Sequence, residues 1–287
     1  MKFSVYIQAE RQPLREVNKM ATAVAKKSKK EVQVSTIDPQ MLIDDIGAGS
    51  ERMDAEDLQI PRIKLLQSIN DECNKQEAKY VPGAEAGMIY NTVTKKLYDG
   101  ETGIRVVVIK YRRALLEWKP KLQGLEKDHD NDSSCLVDCT RGDKGEYFTA
   151  DGNEIIITGE YFVYVLEEDG SYHPAIMSLS KTNFTKAKLW NSLINGLQIP
   201  HPTKQGETFN PATFYTAYDI VTLPQKGEVG TYFVFDASFA YEAGNNSIMA
   251  NHPRGNDIYI DARNFLKTIE SGAFSVQEEE QVSEEVM

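Results

Sequence analysis

Residues 104–111, Ile-Arg-Val-Val-Val-Ile-Lys-Tyr, constrain this chain more than any other segment. A run so rich in β-branched residues loses side-chain freedom in a helix and packs well on a pleated surface. Residues 160–166 (Glu-Tyr-Phe-Val-Tyr-Val-Leu) repeat the signal. The turn at Asp169-Gly170 then leads to a partner strand near 172–179, which makes a hairpin. Residues 213–223 and 230–241 read as another strand pair around Gly227. In the second, two-residue alternation puts Phe233, Phe235, Ala237, Phe239 and Tyr241 on one face. Ahead of these, Met88-Ile89-Tyr90 is strand-like and Asp99-Gly100 marks a turn.

Two helices interrupt the strands. One is expected over 181–196, capped by Ser178 or Ser180 and stopped by Gly196 and Pro200. At about 100° per residue, its apolar face holds Leu189, Trp190, Leu193, Ile194 and Leu197, with Lys181, Phe184 and Lys188 opposite. The other is expected from about Asp257 to Ser271, with Ile258, Ala262, Phe265, Leu266 and Ile269 as its stripe and Gly272 at its end. Many strands, one helix, two strands and one helix do not make alternating βαβ units. The fold class is therefore mainly β (α+β), a Greek-key barrel or a twisted antiparallel sheet.

Three segments fall outside the regular pattern. Residues 1–56 run from a basic cluster (Lys26, Lys27, Lys29, Lys30) into an acidic, Gly-rich stretch, and are expected to be disordered. Residues 124–154 hold nine acidic residues against three basic ones, which marks a polar insert forming a long exposed loop or hairpin. Residues 273–287 carry Glu278, Glu279, Glu280, Glu284 and Glu285 with no base, the composition of a disordered acidic tail. A single β-rich domain over 57–272 lies between the termini.

No motif for nucleophilic, phosphate-cradling or metalloprotease chemistry is present, and the chain reads as a non-enzyme with no cofactor. His129, His173, His201 and His252 are scattered. His129, Cys135 and Cys139 have the spacing H-x5-C-x3-C but lack a fourth ligand, and no metal is expected. With Cys73, the three cysteines fit a reducing compartment rather than a disulfide framework. Neither a signal peptide nor an apolar run of roughly 18 residues appears, so the chain reads as cytoplasmic and not membrane-bound.

A net charge of −11 argues against nucleic acid as a partner until its distribution is read. Between Ile104 and Lys121 stand Arg105, Lys110, Arg112, Arg113, Lys119 and Lys121 against Glu117 alone. Between Ser178 and Gln205 stand four lysines, Lys181 and Lys188 among them, and no acid. Trp118 and Phe184 are interleaved with these cations. A strand regular to residue 118 places Lys110, Arg112 and Trp118 on one face. Cations for phosphates beside aromatic platforms for bases are what single-stranded DNA requires, and the binding expected is salt-sensitive.

Several segments carry a family resemblance. They are Asp57-Leu58-Gln59-Ile60-Pro61-Arg62-Ile63-Lys64-Leu65-Leu66-Gln67 and Gly87-Met88-Ile89-Tyr90-Asn91-Thr92-Val93-Thr94. Leu179-Ser180-Lys181-Thr182 with Trp190-Asn191-Ser192-Leu193-Ile194, then Tyr215 to Leu223, and the last helix before the tail, complete them. This arrangement resembles bacteriophage single-stranded-DNA-binding proteins. The resemblance implies an OB-like antiparallel β-barrel with two flanking helices. It also implies sequence-independent DNA binding in phage replication or recombination, in the host cytoplasm, and a tail that contacts replication or recombination proteins. A homo-oligomer is compatible with it. The alternative is a virion structural or assembly protein with an adhesive β domain. A metal-dependent nuclease using the acidic insert ranks last.

Overall fold

The computed structural model describes residues 39–44, 59–228, 230–242 and 244–271. In chain order its elements are α1 (Pro39–Asp44), β1 (Arg62–Leu65), β2 (Ile89–Asn91), β3 (Leu97–Tyr98), β4 (Ile104–Trp118), β5 (Leu125–Asp128), β6 (Thr140–Arg141), β7 (Tyr147–Phe148), β8 (Glu154–Leu166), β9 (Tyr172–Ser180), α2 (Lys181–Gly196), β10 (Ile199–Pro200), β11 (Thr208–Phe209), β12 (Tyr218–Lys226), β13 (Thr231–Phe239), α3 (Ile248–Asn251) and α4 (Gly255–Glu270). The chain divides into two units, Met1–Glu51 and Arg52–Met287. In the first, α1 falls within the segment read as disordered, and Gln40 Nε2 donates to Asp44 Oδ1 along it. The other residues of 1–56, and the tail with Glu278, Glu279, Glu280, Glu284 and Glu285, lie outside the described residues.

The second unit is mainly β. Among the described residues, eleven strands form one sheet in the order β13-β12-β4-β8-β9-β1-β2-β3, with β5 against β4, and β7 then β6 against β8. Pairing is antiparallel except between β1 and β9, which run parallel. β4 and β8 are the spine. The β-branched run buries both faces at once, as central strands covered on both sides do. Val106 and Val108 join Tyr161, Val163 and the α2 residues Ala187, Trp190 and Ile194. Val107 and Ile109 join Phe162, Tyr164 and the α4 residues Ile258 and Ala262. One helix thus covers each face. The α4 stripe is the one the sequence indicated, since Phe265, Leu266 and Ile269 also pack there.

A bulge between Val108 and Lys110 resets the alternation, so that Tyr111 turns to the α2 face. β4 then runs on to Trp118, seven residues beyond the expected end, because β8 pairs with it along that whole length. The insert is not a plain loop. It supplies β5 beside β4, and a β6–β7 hairpin beside β8. Thr213–Tyr215, expected in a strand, forms a 3-10 turn before β12.

The sheet curls into a half-barrel, and side chains tie its ends together. Gln67, just after β1, donates from Nε2 to the Phe233 carbonyl at 2.8 Å and accepts the Phe233 N–H on Oε1 at 2.9 Å. Its amide thereby completes the edge of β13. Thr222 Oγ1 donates to the Gly87 carbonyl at 2.6 Å, and Thr222 N–H donates to the Gly100 carbonyl at 2.8 Å. The closeness explains both glycines. A Cβ at Gly87 (φ 93°) would lie 2.6 Å from the Phe233 ring, and one at Gly100 would overlap the Gly87 carbonyl and Thr222 Oγ1.

α2 spans the expected residues, but its apolar face is narrower than periodicity suggested. Trp190 and Ile194 are buried and Leu193 partly so, whereas Leu189 is 56% exposed. Asn183 and Ala187 take the remaining core positions. Phe184, assigned to the outer face, packs partly against the same core cluster. No helix among the described residues is long and apolar enough to cross a membrane.

Candidate nucleic-acid interface

The first basic stretch does not assemble into a free cationic surface. Arg105 forms a bidentate pair with Asp219 of β12 (Nε–Oδ1 2.7 Å, Nη2–Oδ2 3.0 Å). Arg112 Nη2 lies 2.6 Å from Glu160 Oε2, and its Nη1 lies 2.8 Å from Asp128 Oδ2. Arg113 Nη1 donates to Asn131 Oδ1 and Ser133 Oγ. Lys119 pairs with Glu126 at 3.4 Å. Trp118 does share a face with Lys110 and Arg112, but it is 1% exposed, packed with Leu116, Leu122 and Ile156. Its ring is core and offers no platform for a base. Lys110 and Lys121 have no carboxylate partner among the described residues, and Lys121 sits in left-handed backbone at φ 59°.

The second stretch does build a surface. A cavity of about 470 Å³ opens at the start of α2. Its walls come from separate parts of the chain: Gln67 and Ile69 after β1, Lys144–Tyr147 in the β6–β7 hairpin, Glu154–Ile157 in β8, Lys181, Thr182 and Phe184 in α2, and Tyr232 in β13. Three aromatic rings, exposed isoleucine and two lysines therefore meet in one groove. Of the ten candidate DNA-binding residues, Lys181 and Phe184 line it, and Lys188 stands beside it with Nζ 5.1 Å from the Phe184 ring centroid.

Local geometry fixes these groups. The β6–β7 turn closes with Gly142 N–H on the Glu146 carbonyl and Gly145 N–H on the Gly142 carbonyl, with Gly145 at φ 85°. Arg141 lies 4.0 Å from the Tyr147 ring and donates from Nη2 to its hydroxyl at 2.6 Å. α2 follows β9 with no intervening loop, and Lys181 makes the change of direction in left-handed backbone at φ 48°. The helix is then held from two sides. Asn183 Oδ1 accepts the Phe235 N–H at 2.8 Å, and the Tyr161 hydroxyl meets the Ala187 carbonyl and Asn191 Oδ1 at 2.9 Å each. Tyr161 also stacks on Trp190 at 4.1 Å, and burial pushes its hydroxyl well above the usual tyrosine range.

Formal charge inside the groove balances. Lys144 and Lys181 face Glu146 and Glu154, and Lys181 Nζ lies 3.5 Å from Glu154 Oε1. What distinguishes the groove is its aromatic lining. The sequence reading missed Lys144 and Tyr147 because they sit in the acidic insert, and Tyr232 because nothing local links β13 to α2. The available signal was Arg141-Gly-Asp-Lys-Gly-Glu-Tyr147-Phe, a glycine-bounded turn that runs into two aromatics.

The histidine and cysteines of the insert lie apart from this lining. His129 Nε2 is 2.7 Å from Glu117 Oε2, while Asn153 Nδ2 donates to Glu117 Oε1 at 2.7 Å. The Asn153 hydrogen bond and then His129 hold the Glu117 carboxyl below its ordinary range. Burial pushes the thiols of Cys135 and Cys139 up, and each donates to a backbone carbonyl.

A family model described as Pam3 phage gp34-like protein matches residues 28–275. No curated protein and no solved structure matches the chain.

Proposed function

The chain belongs to this phage family, and from that premise we propose that it binds single-stranded DNA without sequence preference, using the groove at the start of α2. The observation that carries the reading is the convergence of Tyr147, Phe184 and Tyr232 with Lys144 and Lys181 in one cavity. A base that is not paired has free faces to lay against such rings. Each stacking contact is worth about 1–3 kcal/mol and tolerates any base. Lys188 and Arg141, each already over an aromatic ring, supply charge at the rim. Because acids balance the lysines of the groove, affinity rests on stacking more than on phosphates, and its salt dependence is shallower than composition alone suggested. An OB-like assignment of the curled sheet belongs to the same proposal, as do a role in phage DNA replication or recombination and recruitment of partner proteins by Glu278, Glu279, Glu280, Glu284 and Glu285.

The test is a fluorescence-anisotropy titration of the full chain against a labelled oligo-dT strand at low salt. Phe184→Ala, Tyr147→Ala and Tyr232→Ala should each weaken binding by at least about fivefold, the equivalent of one lost stacking contact. Leu189→Ala, exposed on α2 but outside the cavity, should leave it unchanged. A full chain that ignores oligo-dT sinks the proposal. Co-sedimentation with assembled particles would then favour the virion role.

A further inference from the structure

Lys181 is the one residue of the groove that combines a formal charge, a disfavoured backbone and a charged partner. Its φ of 48° is a region that side chains bearing a Cβ rarely adopt, and such conformations persist where the surroundings fix them. Here they do. Ser180 is locked to Thr158 in the β8–β9 ladder, and Asn183 grips the Phe235 N–H. The consequence is that Lys181 Nζ stands 3.5 Å from Glu154 Oε1, with both residues on the cavity wall.

We propose that Glu154 is an internal phosphate surrogate, a carboxylate holding in the free protein the place at Lys181 that a phosphate of the DNA takes on binding. The inference rests on the single-stranded-DNA reading of the groove and assigns a positioning residue to it. The chemistry is an exchange of one oxyanion for another at the same ammonium. An ammonium beside Ile155, Ile157 and Phe184 with no counterion would draw in any polyanion, duplex DNA included. With Glu154 in place, an incoming polyanion gains only the difference between phosphate and carboxylate. A ligand must add stacking on Tyr147, Phe184 and Tyr232, which only a strand with free base faces supplies. Glu154 thus damps the non-selective part of the affinity and leaves the aromatic part intact.

The experiment is the slope of log affinity against log salt for the full chain and oligo-dT. Each phosphate neutralised on a single strand adds about 0.7 to that slope. Glu154→Gln should therefore steepen it by about 0.7 and raise low-salt affinity by about threefold, the size of one partly exposed ion pair. Lys181→Gln in the Glu154→Gln background should abolish the gain. Glu168→Gln, beyond the opposite end of β8, removes the same charge at a distance and should leave the slope unchanged. If Glu154→Gln unfolds the protein, Glu154→Asp withdraws the carboxylate by one methylene and should shift the slope the same way by less. An unaltered slope, or an equal steepening by Glu168→Gln, overturns the surrogate while the groove reading stands. No binding of oligo-dT by the unmutated chain removes both.

Discussion

Arg112 separates a structural from a DNA-contacting role for the basic strand, because its replacement has opposite consequences in the two cases. Its partner Glu160 has a side chain that is 0% exposed, while the Arg112 side chain is 23% exposed. Glu160 has one further cation, Arg62, with Nη1 3.5 Å from Oε1, and accepts from Ser178 Oγ at 3.3 Å. Arg112→Met keeps the stem and removes the guanidinium, so the buried carboxylate loses its nearer cation. Removing one partner of a buried pair costs about 3–5 kcal/mol. Arg62 and Ser178 remain, which puts the expectation at the lower end, about 3 kcal/mol. For a domain of roughly 200 residues each kcal/mol moves the midpoint by about 2–4 °C, so thermal unfolding should come about 6–12 °C earlier. The measurement is a circular-dichroism melt at neutral pH, paired with an oligo-dT titration well below the transition. Affinity of the folded protein should stay within about twofold. Lys110→Met, on the same face and without a carboxylate partner, is the control and should shift stability by less than about 0.5 kcal/mol. An Arg112→Met protein that melts with the parent, or loses tenfold in affinity at full stability, refutes the reasoning.

Other outcomes follow from single contacts. Gly100→Ala should cost about 1–3 kcal/mol in a denaturant titration, because its Cβ overlaps the Gly87 carbonyl where the half-barrel closes. Trp118→Phe should leave oligo-dT affinity unchanged, since the indole is buried and its N–H has no partner in the core. Burial pushes the His173 imidazole below its ordinary value of 6.5, so the folded state resists a proton that the unfolded state accepts. His173 therefore contributes stability that is complete above pH 6.5 and is lost as pH falls through the lowered folded value. His173→Gln should flatten that part of the stability-against-pH curve, and an unchanged curve would show that His173 does not set it.

The strands and helices were legible wherever burial imposes a period. The α4 stripe followed from apolar spacing, the extent of α2 from its capping serine and the stop at Gly196 and Pro200, and the β8–β9 hairpin from the turn at Asp169-Gly170 after a buried strand. Misreadings arose where one position departs from the period. The bulge after Val108 moves Tyr111 to the α2 face, and no propensity marks it. Tyr241 lies past the end of β13 and packs with the α4 cluster, not with Phe233, Phe235, Ala237 and Phe239. Leu189 is exposed because Asn183 and Ala187 take the core positions nearest β13 and β8. The closing contacts were out of reach for a different reason. Gln67 and Phe233 are 166 positions apart, and a side-chain amide imitating a strand edge leaves no local signature.

The charges depend on the same long-range pairing. A basic run is a surface only if no acid answers it, and answering acids need not be near in sequence. Asp219, which holds Arg105, is 114 positions away. The insert at 124–154 looked like an objection to DNA binding because it is acidic. Its first part answers the basic strand beside it: Asp128 takes Arg112, Glu126 takes Lys119, and Asn131 with Ser133 takes Arg113. Acids thus answer Arg105, Arg112 and Lys119, neutral groups hold Arg113, and Lys110 and Lys121 have no carboxylate partner among the described residues. The far part of the insert joins a different site, where the β6–β7 hairpin brings Lys144 and Tyr147 to the same cavity as Phe184 and the groove-lining residues of β8. The aromatic lining of the groove comes from segments with no common charge pattern. Charge counted along the sequence points to the strand that ends at Trp118, whereas half-buried aromatics at a cavity point to Phe184.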